Sequence, residues 1–319
     1  MYIFEGDFFK SLFDELKSKG YRIYIPDGYG FKEGEEIKEI KRSKKSAKEF
    51  FLPQNEILIK YSDWVEDVPV DNEKRAIVVS PCDARGITLL DKVFLDGLVD
   101  PYYKARRDNS LVISIACNKA GDYCFCESLG FSPYSSEGSD VFVAEVDGKY
   151  FIELSDKAKD ILDIELKEAD ENDIEKFREK ENEVKSTFKR KLNIEGLSGR
   201  LKENFESDYW KKVSINCVGC GICTFLCPTC FCFDMLDEGE KEGFRYRAWD
   251  SCQFPLYTLE SSSHNPRNEK WQRLRNRFYD KFLYMLENKG EIFCVGCGRC
   301  ISECPAGVDI VEVLEEVGR

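Results

Sequence analysis

A chain of 319 residues with 42% hydrophobic and 34% charged residues has the composition of a globular protein with room for two domains. A net charge of −13 excludes the broad basic surface that phosphate contacts require, which argues against a nucleic-acid partner. No run reaches transmembrane length and the opening MYIFEGDFF carries no leader pattern, so a cytoplasmic protein without a membrane partner is expected.

The opening reads as strand, helix, strand. Tyr2 to Phe4 is extended, Asp7 stands as N-cap before FFKSLFDELKSK, Gly20 stops the helix, and YRIYIP follows. Phe9, Leu12, Phe13 and Leu16 share one helical face, as a helix lying on a sheet requires. The basic run around Lys41 to Lys48 is expected to be a solvated face. From Arg75 the pattern sharpens: AIVVS and LVISIAC are the short, continuous apolar runs of buried strands, and Asp83 is placed to cap a helix through Leu89, Leu90, Val93 and Phe94. Each of these strands delivers a cysteine near its C-terminal end, Cys82 and Cys117, where open α/β sheets place ligands.

Cys124 and Cys126 follow soon after, so four cysteines gather in this half. The functional reading is a cysteine-ligated iron–sulfur cluster on Cys82, Cys117, Cys124 and Cys126; the alternative is that some are buried apolar side chains. VFVAEVDGKYFIEL then has the form of a hairpin turning at Asp147 and Gly148.

Residues 1–155 are accordingly expected to form an α/β (α+β) domain. Residues 156–206, dense in Lys and Glu with apolar residues at helical intervals, read as a charged helical connector broken near Asn193 to Gly199. Residues 207–319 hold the strongest signal. Cys217, Cys220, Cys223 and Cys227-Pro228 stand in the spacing C-x2-C-x2-C-x3-C-P, and Cys294, Cys297, Cys300 and Cys304-Pro305 repeat it.

Three closely spaced thiolates supply one side of a [4Fe-4S] cube, and in two-run chains the fourth cysteine ligates the other cluster. That predicts cluster I on Cys217, Cys220, Cys223 and Cys304, and cluster II on Cys294, Cys297, Cys300 and Cys227. Zinc also uses C-x2-C pairs, but it has no need of a third and fourth cysteine at these intervals. Glycines at 219, 221, 296 and 298 let backbone N–H groups approach the sulfides and tune the potential.

The insert between the two runs is longer than a βαβ ferredoxin repeat needs. It contains WQRLRNRFYDKFLYMLEN, an amphipathic helix with Trp271, Leu274, Phe278, Phe282 and Met285 along one side. A mainly α-helical, ferredoxin-like two-cluster domain is therefore expected. Arg273, Arg275 and Arg277 on that helix are expected to be solvated, with an acidic partner as the alternative. Cys230, Cys232 and Cys252 are left over, either as thiols packed round the clusters or as further ligands. His264, the single histidine, has no orienting partner of the kind a general base needs.

The segments PCDARGITLLDKVF, DPYYKARRDN, CNKAGDYCFCESLG, CVGCGICTFLCPTCFCFD, RAWDSC, SHNPR, RNRFYDKF and CVGCGRCISECPAGVDI, in this order from about residue 75 onward, resemble the β subunit of cytosolic sulfhydrogenases and the related A subunit of anaerobic sulfite reductase. SSSHN departs from the pattern, where a glycine pair commonly precedes the histidine.

The resemblance implies [4Fe-4S] clusters, a flavoprotein partner that carries FAD and takes electrons from NAD(P)H, and a catalytic partner that is a nickel–iron hydrogenase or a sirohaem sulfite reductase. It also implies roles for Cys82, Cys117, Cys124 and Cys126, and for Cys230, Cys232 and Cys252. No G-x-G-x-x-G fingerprint is present, so flavin and nicotinamide are expected on another chain. The expected function is electron relay with no catalytic residue of its own. A directly catalytic subunit reducing sulfite or polysulfide, and a structural scaffold or sensor, are the alternatives.

Overall fold

The apolar runs Arg75–Val79 and Ser110–Ile115 become interior parallel strands whose every residue is buried, as expected when a parallel sheet is covered on both faces. The computed structural model describes residues 1–37 and 42–318. It divides into two units, the first comprising Met1–Phe51, Asp71–Arg190 and Val295–Cys297 and the second Leu52–Val70, Lys191–Cys294 and Gly298–Arg319.

In the first unit β1 (Tyr2–Phe4), β2 (Arg22–Pro26) and β3 (Phe31–Glu33) come first in the chain. After β4 (Asn55–Tyr61) and β5 (Val65–Asp67), which belong to the second unit, come β6 (Arg75–Val79), β7 (Ser110–Ile115), β8 (Val141–Val146), β9 (Lys149–Leu154) and β10 (Lys167–Glu168). They form one sheet in the order β10-β1-β9-β8-β7-β6-β2-β3, parallel from β8 to β2 and antiparallel at both ends.

Helix α1 (Phe8–Ser18) starts at Asp7, whose side chain accepts from the Lys10 amide at 3.0 Å. It packs Phe8, Leu12 and Phe13 against Ile23, Val78, Ile113, Val141 and Val143. Each such side chain, fully buried, contributes about 1.5–3 kcal/mol. The other face of β8 points the opposite way, as strand alternation dictates, and Phe142 and Ala144 form a second core with Phe151, Phe177 and Val184. Asp147 (φ 51°) and Gly148 (φ 77°) make the two-residue turn between β8 and β9, and Val146 pairs with Lys149.

Helix α2 (Pro81–Phe94) begins three residues earlier than the sequence suggests. Ser80 is its N-cap and Pro81 its first residue, a position that proline's fixed φ favours. Asp83 sits inside the first turn and accepts a 2.8 Å hydrogen bond from Ser80 Oγ, where its charge suits the helix's positive end.

The remaining helices of the first unit are α3 (Pro101–Asp108), α4 (Asp156–Ile161) and α5 (Glu171–Ser186), the last inserting Phe177 and Val184 into the second core. The charged stretch from Asp156 is thus helical with one short strand, β10, which pairs with β1. Of the basic run, Lys41 lies outside the described residues, Lys44 is exposed and Lys45 half-buried as a solvated face requires, and Lys48 is buried.

The second unit carries α6 (Leu197–Glu203), α7 (Tyr209–Ser214), α8 (Ile222–Phe225) and α9 (Lys270–Tyr279). A π-helical turn over Asp280–Tyr284 and a last α-helical turn over Met285–Lys289 continue α9, and Arg299–Ser302 and Ile310–Glu316 close the chain. Besides these helices it holds an antiparallel sheet in the order β11-β12-β4-β5, with β11 at Phe233–Gly239 and β12 at Gly243–Trp249. A buried ion pair, Arg247 Nε to Glu56 at 2.6 Å, ties β12 to β4.

Candidate iron–sulfur sites

In the second unit the loop before α8 and the loop after Arg299–Ser302 face one pocket. Cys217, Cys220, Cys223 and Cys304 line it, together with Cys300, Gln253, Leu274 and Arg277. Gly221 adopts φ 75° to turn the chain into α8, and a Cβ there would meet Phe225 and Phe254 at 3.0 Å. Backbone N–H groups point at the sulfurs: the Gly219 amide donates to Cys217 Sγ at 3.4 Å and the Val308 amide to Cys304 Sγ at 3.3 Å. Such bonds favour a thiolate, and at an iron–sulfur centre they raise the reduction potential. Burial pushes the Cys223 thiol up, against the pull of Arg277, and a bound metal displaces that proton.

Of the second predicted set, Cys227, Cys294 and Cys300 lie in the second unit and Cys297 in the first. Cys227 and Cys294 are buried, and Cys227 Sγ lies 3.3 Å from Thr229 Oγ1. Cys230 and Cys252 are also buried and Cys232 half-buried. Hydrogen bonding from Cys252, and then from Tyr257, holds the Cys232 thiol below its ordinary value despite burial, and raises that of Cys252. His264 is exposed on the surface, with Nδ1 3.3 Å from Glu260.

The first unit gathers a second set from more distant parts of the chain. A cavity of about 340 Å³ is lined by Cys82, Cys117, Cys124 and Cys126, a size within the usual range for cofactor sites. Cys82 lies in the first turn of α2 and Cys117 just beyond β7, so both stand at the C-terminal ends of parallel strands. Ser80 Oγ lies 3.1 Å from Cys82 Sγ, and Arg42 donates to Cys124 Sγ at 3.1 Å and to the Cys297 carbonyl.

The segment Val295–Cys297 closes one wall: the Phe125 amide donates to the Gly296 carbonyl at 2.8 Å. Gly296 has φ 63°, and a Cβ there would lie 2.4 Å from the Cys126 amide nitrogen, so only glycine lets the two loops meet. Burial pushes the Cys126 thiol up, and the charges of Cys82, Cys124 and Cys117 add to it.

Arg273, Arg275 and Arg277 are buried, at 8%, 7% and 4% exposure, rather than solvated. Arg273 is satisfied by carbonyls, including that of Gln253 at 3.1 Å, and Arg275 stacks 3.5 Å from the Phe205 ring. Arg277 faces the cysteine pocket.

Among the described residues no three His, Cys, Asp or Glu side chains converge closely enough to hold a single metal ion. Amide-to-sulfur bonds and close backbone approach, as at Gly219, Val308 and Gly296, are features that an iron–sulfur site requires.

A family model described as a 4Fe-4S dicluster domain matches residues 216–308. Along 98% of its length the chain is 35% identical to sulfhydrogenase 2 subunit beta of Pyrococcus furiosus, 96% of which is covered. No solved structure matches the chain.

Proposed function

The chain belongs to the sulfhydrogenase β-subunit family, and on that premise we propose that it relays electrons between a flavoprotein subunit, which carries FAD and draws on NAD(P)H, and a catalytic nickel–iron hydrogenase subunit. The pocket of Cys217, Cys220, Cys223 and Cys304, with backbone amides directed at its sulfurs, is the observation that carries this reading.

In this proposal those four residues hold cluster I, Cys294, Cys297, Cys300 and Cys227 hold cluster II, and Cys82, Cys117, Cys124 and Cys126 hold a third. Bound there, [4Fe-4S] clusters would supply reversible one-electron chemistry. The protein's part is to fix the thiolates, exclude water and set each potential. Cys217, Cys220 and Cys223 present three sulfurs from the loop before α8 and its first turn, Gly219 and Val308 stabilise the thiolate charge, and Arg42 neutralises part of the negative charge on the first unit's set. Cys230, Cys232 and Cys252 remain outside the three sets as packed thiols. Among the described residues no helix is long and apolar enough to cross a membrane.

The test is a nickel assay with a visible spectrum on the assembly purified anaerobically through this chain. Nickel in constant ratio to the chain is expected. Sirohaem absorption without nickel would instead assign the relay to a sulfite reductase. Turnover of hydrogen, sulfite or polysulfide by the isolated chain with an artificial donor would overturn a relay role in favour of direct catalysis.

A further inference from the structure

Along α9 and its continuation the apolar stripe runs through Leu274, Phe278, Phe282 and Met285, all buried. At two further positions of that same stripe, three and seven residues beyond Leu274, stand Arg277 and Lys281, at 4% and 2% exposure. Burying a cation is costly unless something anionic or polar meets it. Lys281 meets that requirement with protein acceptors, since its Nζ donates to Thr229 Oγ1 at 2.9 Å and to the Phe293 carbonyl at 3.1 Å.

Arg277 does not. Its Nε is buried and has no hydrogen-bond partner among the described residues, and its side chain lines the pocket of Cys217, Cys220, Cys223 and Cys304. Burial opposes its charge, and the charges that restore it are those of cysteines, Cys223 first, then Cys300, Cys230 and Cys227. A buried Nε–H that no protein acceptor meets, on a guanidinium lining a pocket of four cysteines, is prepared for an anion that occupies the pocket. A cubane with four thiolate ligands is such an anion, and it gains a further negative charge on reduction.

We propose that Arg277 is the counter-cation of the cluster held by Cys217, Cys220, Cys223 and Cys304, donating its free N–H to that cluster's sulfurs and raising its reduction potential. This inference rests on the cluster assignment proposed above and adds the residue that sets the potential of that site. A fixed positive charge favours the more negative, reduced state, so its removal lowers the potential.

The experiment is an EPR-monitored redox titration, with an iron count, of the anaerobically purified assembly bearing the wild-type chain, Arg277→Lys or Arg277→Met. In Arg277→Met one midpoint should fall by at least tenfold in the reduction equilibrium, about 59 mV for a one-electron couple. Arg277→Lys, which keeps the charge, should retain most of the wild-type value. Loss of one cluster's iron in Arg277→Met but not in Arg277→Lys would equally support a charge role. Unchanged midpoints in Arg277→Met with iron intact would overturn the proposal, as would equal loss of iron from both variants. Wild-type chain with fewer than about eight iron atoms would fail the cluster assignment itself, before Arg277 is in question.

Discussion

The two cysteine pockets differ in how far the chain travels to build them. In the second unit Cys217, Cys220 and Cys223 come from one short stretch, the loop before α8 and its first turn, and only Cys304 from elsewhere. In the first unit Cys82 and Cys117 arrive at the ends of two different strands, and Cys124 and Cys126 on the loop that follows. A local motif can hold three ligands whatever lies around it, whereas the dispersed set exists only if the β6–β7 sheet is formed in register. The same contrast holds for the cations: Arg42 in the first unit bonds a sulfur directly, while Arg277 in the second has an unpartnered Nε.

Substitution of ligands tests that contrast most strongly. Cys223→Ser should remove about four iron atoms per chain, and Cys117→Ser about four others, the EPR signal lost in one variant being retained in the other. If Cys117→Ser leaves the iron content unchanged, the first pocket holds packed thiols and the comparison fails.

A smaller effect is expected from Gly296→Ala. The left-handed backbone and the Cys126 amide 2.4 Å from the new Cβ should cost about 1–3 kcal/mol. The melting temperature should drop by several degrees, and iron should be lost first from the set that Cys126 belongs to. An unchanged melting temperature would show that the contact between these two loops is not needed.

The smallest effect concerns Cys232. Donation from Cys252 and Tyr257 favours its thiolate, so the reactive fraction grows as pH rises and reaches its plateau early. Iodoacetamide labelling of Cys232, followed by mass spectrometry, should have its midpoint below the ordinary thiol value of about 8.5. A midpoint at or above that value would remove the special environment assigned to this thiol.

Much of the fold was legible where the signal is local. Asp7 as a cap, the turn at Asp147 and Gly148, and the buried runs of β6 and β7 all depend on residues a few positions apart, and each formed as read. The cap at Ser80 was missed by three residues because Pro81 takes the first helical position and leaves Asp83 inside the turn. The pairing of β4 with β12 joins Glu56 to Arg247, 191 positions away, and nothing in Asn55–Tyr61 announces its partner.

The regular cysteine spacing is a local signal visible in the sequence, but the burial of the arginines is not. A run such as Arg273, Arg275 and Arg277 ordinarily means a solvated face. The signal that could have found Arg277 and Lys281 is their place on the apolar stripe, where a solvated cation does not belong. Arg42 carried no such mark, because its contact with Cys124 exists only in the folded first unit.

The most direct test of the account is the iron and acid-labile sulfide content of the chain purified anaerobically in its assembly. Three cubane sites predict about twelve iron atoms per chain. About eight, with Cys117→Ser indistinguishable from wild type, would contradict the account by leaving the first unit's four cysteines without a cluster.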